Sequence, residues 1–291
     1  MKRIVVVANG TLDDDRIDRA REILGDSSLS VTWERTTESD PGVEMARAAA
    51  AEEADVVIAF GGDGTVRACA EGVSGTDTAL GVIPAGTGNL LARNLGIPDD
   101  LDESIAVALG GRARALDTGR VNGELFAVIA GAGFDAEVMA NTGDEAKNRM
   151  GALAYFIEGA RHLKDPSFEA SVIVDGADIM RGEWATVLVA NLSHLQGDVE
   201  LFPDSAPDDG VLEVLGISAE TPTERLAAGL EAVMGDGMGK HLLRATGSEV
   251  RLDLAEPTRY QLDGDARPPA TTLDFEVRAR SLTILTPEES T

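Results

Sequence analysis

Runs of β-branched and apolar residues at Ile4–Ala8, Ser30–Glu34, Val56–Phe60 and Leu80–Ile83 constrain this chain more than any other feature. They are nearly continuous in apolar character, as strands covered on both faces are, and helical patterns separate them. Ile17, Ala20, Ile23 and Leu24 fall on one helical face, as do Val43, Ala46 and Ala50. Such alternation predicts an α/β unit, a parallel sheet with helices on both sides. In open sheets of this kind, ligands bind outside the carboxyl ends of the strands.

Two of the strands run into glycine-rich turns that open helices. The first is GGDGT at 61–65. Gly61, Gly62 and Gly64 let backbone N–H groups approach phosphate oxygens, and the following helix adds its positive N-terminal end. Asp63 is placed to hold Mg²⁺ or to organise its water. The second turn lies in GVIPAGTGNLLARNLGIP, 81–98. Adjacent parallel strands ending this way create a crevice lined by backbone donors around Gly86 and Asn89, with the hydroxyls of Thr65 and Thr87 at hand. Plainer readings stand beside these: a simple strand–helix turn for the first, and for the second a helix cap in which Asn89 acts through Arg93. No Gly-Lys-Ser/Thr follows, so neither turn is a P-loop.

The rhythm changes near Asp117. Asn122-Gly123 and Asp175-Gly176 are two-residue hairpin signals between apolar runs. Further strands are expected at Phe168–Val174, Ala185–Asn191, Val211–Ile217, Glu249–Leu254 and Leu282–Leu285. Helices are expected at Met150–Leu163 and Pro222–Val233, the second capped by Thr221. This predicts two domains: 1–117, α/β and parallel, and 118–291, β-rich and antiparallel, with the last few residues free to return to the first.

The 51 acidic and 25 basic residues give a formal charge of −26, and only four of the basic residues are lysines. Such a surface repels nucleic acid and anionic membranes at ordinary ionic strength. It fits either a moderately acidic enzyme or a protein adapted to a cytoplasm of very high salt, where screening removes the self-repulsion. No apolar run approaches the roughly 18 residues of a membrane span. The apolar stretch after Lys2-Arg3 is too short for a signal-peptide core. One cysteine, Cys69, allows no internal disulfide, so the expected location is the cytoplasm.

GGDGT followed about twenty residues later by Pro84-Ala85-Gly86-Thr87-Gly88-Asn89 resembles the signature of the diacylglycerol kinase catalytic-domain family, which includes sphingosine kinases and soluble bacterial lipid kinases. The resemblance extends over nearly the whole chain. It implies an α/β nucleotide-binding domain followed by a β-sandwich-like domain carrying the lipid site. It places Asn9 and Thr37 near the nucleotide and Asp117 in a charge network with Asp63. YQLDGDARP, 260–268, is similar to the family's Asp-Gly-Glu segment. Phosphoryl transfer to an alcohol needs a proton acceptor, which makes Asp265 and Asp263 the candidates. Asp-Gly there is also an ordinary hairpin turn. PDSAPDDGVLEV, 203–214, resembles a structural Mg²⁺ loop, with the Asp209 carboxylate and the carbonyls of Ala206 and Val211 as hard oxygen ligands; alternatively it is a solvated acidic turn. The chain departs from the pattern at Val66-Arg67-Ala68, at Leu90 and at Asp265, where many members carry Asn-Glu, aspartate and glutamate.

The expectation is therefore a kinase that uses ATP and Mg²⁺ to phosphorylate a hydroxyl of a diacylglycerol- or sphingosine-like lipid. It would meet the lipid in transient association with a membrane surface, with no transmembrane segment and no nucleic-acid partner. An edge strand admits a homodimer. The alternatives are an NAD kinase, which also has GGDGT and a β-rich second domain, and a non-catalytic nucleotide- or lipid-binding protein. His162, His194 and His241 show no ligand spacing. Leu153, Tyr155, Phe156 and Ile157 form either core or a lipid pocket.

Overall fold

The structure is a computed structural model and describes residues 2–25, 29–133, 167–195, 199–203, 205–219, 221–234 and 239–288. The chain divides into two compact units, Met1–Thr118 with Ala279–Thr291, and Gly119–Arg278.

The first unit is α/β. Its strands β1 (Lys2–Ala8), β2 (Leu29–Arg35), β3 (Val56–Gly61) and β4 (Ala79–Pro84) lie in the order β2-β1-β3-β4, all parallel. The last part of a long strand numbered β16 below joins parallel to β4, with Ile284 opposite Leu80. β3 and β4 are buried along their whole length, which explains their unbroken apolar character. Alternate residues of β1 and β3, Ile4, Val6, Ala8, Val56, Ile58 and Phe60, form one core with Ile17, Ala20 and Leu24 of α1 (Asp14–Leu24) and Ile105 and Ala108 of α5 (Leu101–Gly110). On the other face, α2 (Val43–Ala51) packs against α3 (Asp63–Val73). The buried face of α2 carries Ala46 and Ala49, so Ala49 takes the place that spacing gave to Ala50. A short helix, α4 (Leu90–Asn94), follows β4.

The second unit is antiparallel. β5 (Arg112–Val121) enters it and turns through Asn122-Gly123 into β6 (Glu124–Phe126), with Val121 opposite Glu124. β7 (Ile129–Ala132) lies between β10 (Thr186–Ala190) and β15 (Glu249–Leu262). β13 (Leu212–Ile217) and β14 (Leu242–Gly247) extend the sheet beyond β10. β8 (Phe168–Val174) and β16 (Asp265–Thr286) both pair with β15, and β9 (Ala177–Trp184) pairs with β8. β11 (His194–Leu195) and β12 (Val199–Glu200) form a separate small ribbon. The core gathers Phe126, Trp184, Val187, Val189, Val214, Val250, Leu252, Leu262, Leu273 and Phe275. α6 (Pro222–Met234) opens with a reciprocal cap: the Thr221 N–H donates to Glu224 Oε2 at 3.1 Å and the Glu224 N–H to Thr221 Oγ1 at 3.3 Å.

Both hairpin signals form two-residue turns with left-handed backbone, at Asn122-Gly123 and Asp175-Gly176. The main difference lies in length. β15 runs to Leu262 and β16 occupies 22 residues, where the sequence marked only Glu249–Leu254 and Leu282–Leu285. The helix expected at Met150–Leu163, with His162 and the aromatic cluster of Tyr155 and Phe156, lies outside the described residues.

Candidate active site

Gly62 caps α3 by position, with extended backbone and no side-chain cap bond. The neighbouring turn is stitched to it: the Ala85 N–H donates to the Gly61 carbonyl at 2.9 Å. A Cβ on Gly86 would stand 2.7 Å from Gly62 Cα, and a Cβ on Gly62 would stand 3.2 Å from Gly86 Cα. The two glycines require each other, because only bare backbones approach this closely. A packing reason for them therefore exists before any ligand is considered.

Asp63 fastens the same pair of turns. Its Oδ1 accepts the Leu90 N–H at 2.6 Å, so a carboxylate on the first turn caps the helix that follows the second. Sequence spacing gave that cap to Asn89. Asn89 does hold the cap position, with left-handed backbone (φ 50°), but its side chain makes no cap bond. Instead Oδ1 accepts the Gly86 N–H at 3.0 Å, while Nδ2 donates to the Gly86 carbonyl at 3.0 Å and to Asp99 Oδ1 at 3.1 Å. Its link to Arg93 is main-chain, from the Arg93 N–H to the Asn89 carbonyl at 2.9 Å. The side chains of Leu90 and Ala68 are buried.

Asn9 joins the group from the end of β1. Its Nδ2 donates to Thr65 Oγ1 at 2.9 Å, and its Oδ1 accepts the Thr11 N–H at 2.9 Å. Thr37 has only local bonds among those described: it is exposed, bonded to Ser39 Oγ and to the Asp40 N–H. Its neighbour Thr36 bonds the loop that follows β1, where its Oγ1 accepts the Gly10 N–H at 2.9 Å. Gly64 sits in the first turn of α3, and Thr87 is exposed in the second glycine turn. Asp117 is buried on β5 and its Oδ1 accepts the Arg280 N–H at 2.6 Å. Burial pushes the Cys69 thiol far up, so it behaves as a small apolar group beneath this face. One residue had no sequence signal. Arg16, in the acidic run DDDRIDRA, reads as part of a solvated helix face, yet it donates from Nη2 to the Pro84 carbonyl at 2.8 Å.

In the second unit, Asp263-Gly264 is a two-residue turn between Leu262 and Asp265, with φ of 47° and 91°. The Asp263 side chain is 5 % exposed. Its Oδ2 accepts the Ala127 N–H at 2.8 Å, and its Oδ1 accepts those of Val128 at 2.8 Å and Ile129 at 3.0 Å. Asp263 thus ties the hairpin to the start of β7. Gln261, also buried, accepts the Gly264 N–H on Oε1 at 2.8 Å and fixes the other side of the turn. Asp265 opens β16 and is half-buried. Nearby, burial pushes the Tyr260 phenol up, and Arg267 pairs with Glu124 at 2.9 Å.

In the 205–211 segment the hydrogen-bond partners of Asp209 are the backbone N–H groups of Ala206 and Val211, not the carbonyls expected as ligands. Asp209 Oδ2 accepts the Ala206 N–H and Oδ1 the Val211 N–H, both at 3.1 Å. Among the described residues no three His, Cys, Asp or Glu side chains are grouped to hold a metal ion. His194 bonds Ser193 Oγ through Nδ1 at 2.6 Å and lies 3.9 Å from Glu200.

Residues 3–121 match the diacylglycerol kinase catalytic domain, and residues 128–286 match the YegS C-terminal NAD kinase beta sandwich-like domain. The chain is 32% identical over 276 residues to a diacylglycerol kinase of Bacillus subtilis (strain 168), covering 91% of this chain and 90% of that one. It is 30% identical over 277 residues to the Pseudomonas fluorescens protein named "Probable lipid kinase YegS-like", covering 93% and 89%. A crystal structure of a diacylglycerol kinase from Bacillus anthracis str. Sterne superposes with a TM-score of 0.76 at 18% identity, covering 100% of this chain and 98% of that one. The chain belongs to the diacylglycerol kinase family of lipid kinases. No helix among the described residues is long and apolar enough to cross a membrane.

Proposed function

We propose that this enzyme transfers the γ-phosphoryl group of ATP to a hydroxyl of a diacylglycerol- or sphingosine-like lipid. The observation that carries the reading is the pair of stitched glycine turns at the carboxyl ends of β3 and β4, beside a helix start whose cap residue makes no side-chain cap bond. Backbone donors fixed in advance at such a place stabilise phosphate charge without reorganising. Residues 1–117 take the nucleotide in this reading, through Asn9, Gly61, Gly62, Asp63, Gly64, Thr65, Gly86, Thr87 and Asn89. Thr37 contributes from its loop. Residues 118–291 take the lipid.

Asp265 is the proton acceptor for the lipid hydroxyl. Asp263 has three backbone N–H groups on its carboxylate, which suits it to positioning the turn rather than to receiving a proton. Mg²⁺ at Asp63 supplies neutralisation of phosphate charge when bound. Asp209, with the carbonyls of Ala206 and Val211, would hold a second, structural Mg²⁺. The lipid is met at a membrane surface in transient contact. A homodimer forms through the edge strand β9, which exposes Ile179 and Met180.

The test is transfer of label from γ-labelled ATP to a panel of diacylglycerol, sphingosine and NAD. Labelled lipid is expected. Labelled NAD alone would make the chain an NAD kinase, and nucleotide binding without any transfer would make it a binding protein.

A further inference from the structure

Most described arginines of this acidic chain stand beside carboxylates. Arg3 pairs with Glu52, Arg35 with Asp14, Arg47 with Glu44 and Arg251 with Asp253 and Asp274. Arg16 does not. It leaves the first turn of α1, its guanidinium lies 5.7 Å from the centre of the Phe60 ring, and Nη2 donates to the Pro84 carbonyl at 2.8 Å. Both contacts are electrically neutral, and among the described residues no carboxylate pairs with it.

Its position gives that charge a purpose. Phe60 immediately precedes Gly61-Gly62, and Pro84 ends β4 two residues before Gly86. The half-buried guanidinium is therefore anchored beside the roots of both glycine turns, and it has five N–H donors of which the Pro84 carbonyl takes one. The ring face and the carbonyl orient the fork without neutralising it. A fixed, unneutralised cation at the strand ends of a −26 chain is built for an anion.

We propose that Arg16 is a further phosphate ligand of the nucleotide site, acting on the polyphosphate rather than on the base. The assignment rests on the nucleotide-binding reading of the first unit. A polyphosphate oxygen is the acceptor that suits the fork, and the backbone donors of Gly61–Thr65 then share the same anion.

The test is isothermal titration of the full chain with Mg·ATP, inorganic tripolyphosphate and adenosine, in wild type, R16Q and R16K. R16Q is expected to bind ATP and tripolyphosphate about 10- to 100-fold more weakly, the size of a lost charge-assisted hydrogen bond, with adenosine unchanged. R16K restores the charge without the fork and should recover part of the loss. Unchanged tripolyphosphate affinity in folded R16Q overturns the assignment, as does an equal loss for adenosine. Should R16Q fail to fold, R16K decides: lowered tripolyphosphate affinity upholds the assignment and wild-type affinity overturns it. A wild-type chain that binds neither ATP nor tripolyphosphate also overturns it. A wild-type chain that binds both yet labels no lipid contradicts only the lipid-kinase reading.

Discussion

Asp263 and Asp265 stand two residues apart and differ in burial. Asp263 is buried with three backbone N–H donors, whereas Asp265 is half-buried at the first position of its strand. Replacing Asp263 by Asn turns one acceptor into a donor facing N–H groups. The expected cost is about 2–3 kcal/mol, read as a lower melting temperature. A D263N protein with wild-type melting and no transfer would move the proton acceptor from Asp265 to Asp263. Asp63→Asn is the converse case. Its shape still suits the Leu90 N–H, so the fold should survive while transfer is lost with the charge. Near-normal turnover of folded D63N at saturating Mg²⁺ would remove Asp63 from catalysis. Neither assignment of bonds was legible in the sequence, since the partners of Asp263 are 134–136 positions away.

The elements were more legible than their joints. β1, β3 and β4 announce themselves because both faces of each are buried and apolar side chains fill them. β16 was hidden over most of its length, because most of its residues are exposed or only partly buried and it carries Arg267-Pro268-Pro269 and interspersed charges. Its pairing comes from β15, which no local pattern reveals. The two glycine turns were legible as a site but not as a contact: a single sequence shows that Gly62 and Gly86 lack side chains, not that they touch. Gly86→Ala tests the contact. A methyl group 2.7 Å from Gly62 Cα and 3.1 Å from Asn89 Oδ1 must part the turns. The expected cost is about 1–3 kcal/mol of stability, together with at least a tenfold loss of ATP affinity. G86A with unchanged melting and unchanged affinity would show that the turns are not held against each other.

At the scale of the whole molecule, composition sets a condition on everything above. A net charge of −26 works against compact states when the Debye length is about 30 Å, at 0.01 M salt, and far less when it is about 3 Å, at 1 M. The melting temperature and activity should both rise steeply between low salt and molar KCl. A melting curve unchanged from about 0.05 to 2 M KCl would sink the high-salt reading of the acidity, Debye lengths at those two limits being very different. The proposal to test first is that Asp265 receives the proton of the lipid hydroxyl. Its most direct measurement is the rate of label transfer from γ-labelled ATP to diacylglycerol in wild type and Asp265→Asn, beside the ATP affinity of each. A fall in rate of about 10²- to 10⁴-fold, with ATP affinity within a few-fold of wild type, is the predicted result. Equal transfer by both proteins, or label in NAD and never in lipid, would contradict it.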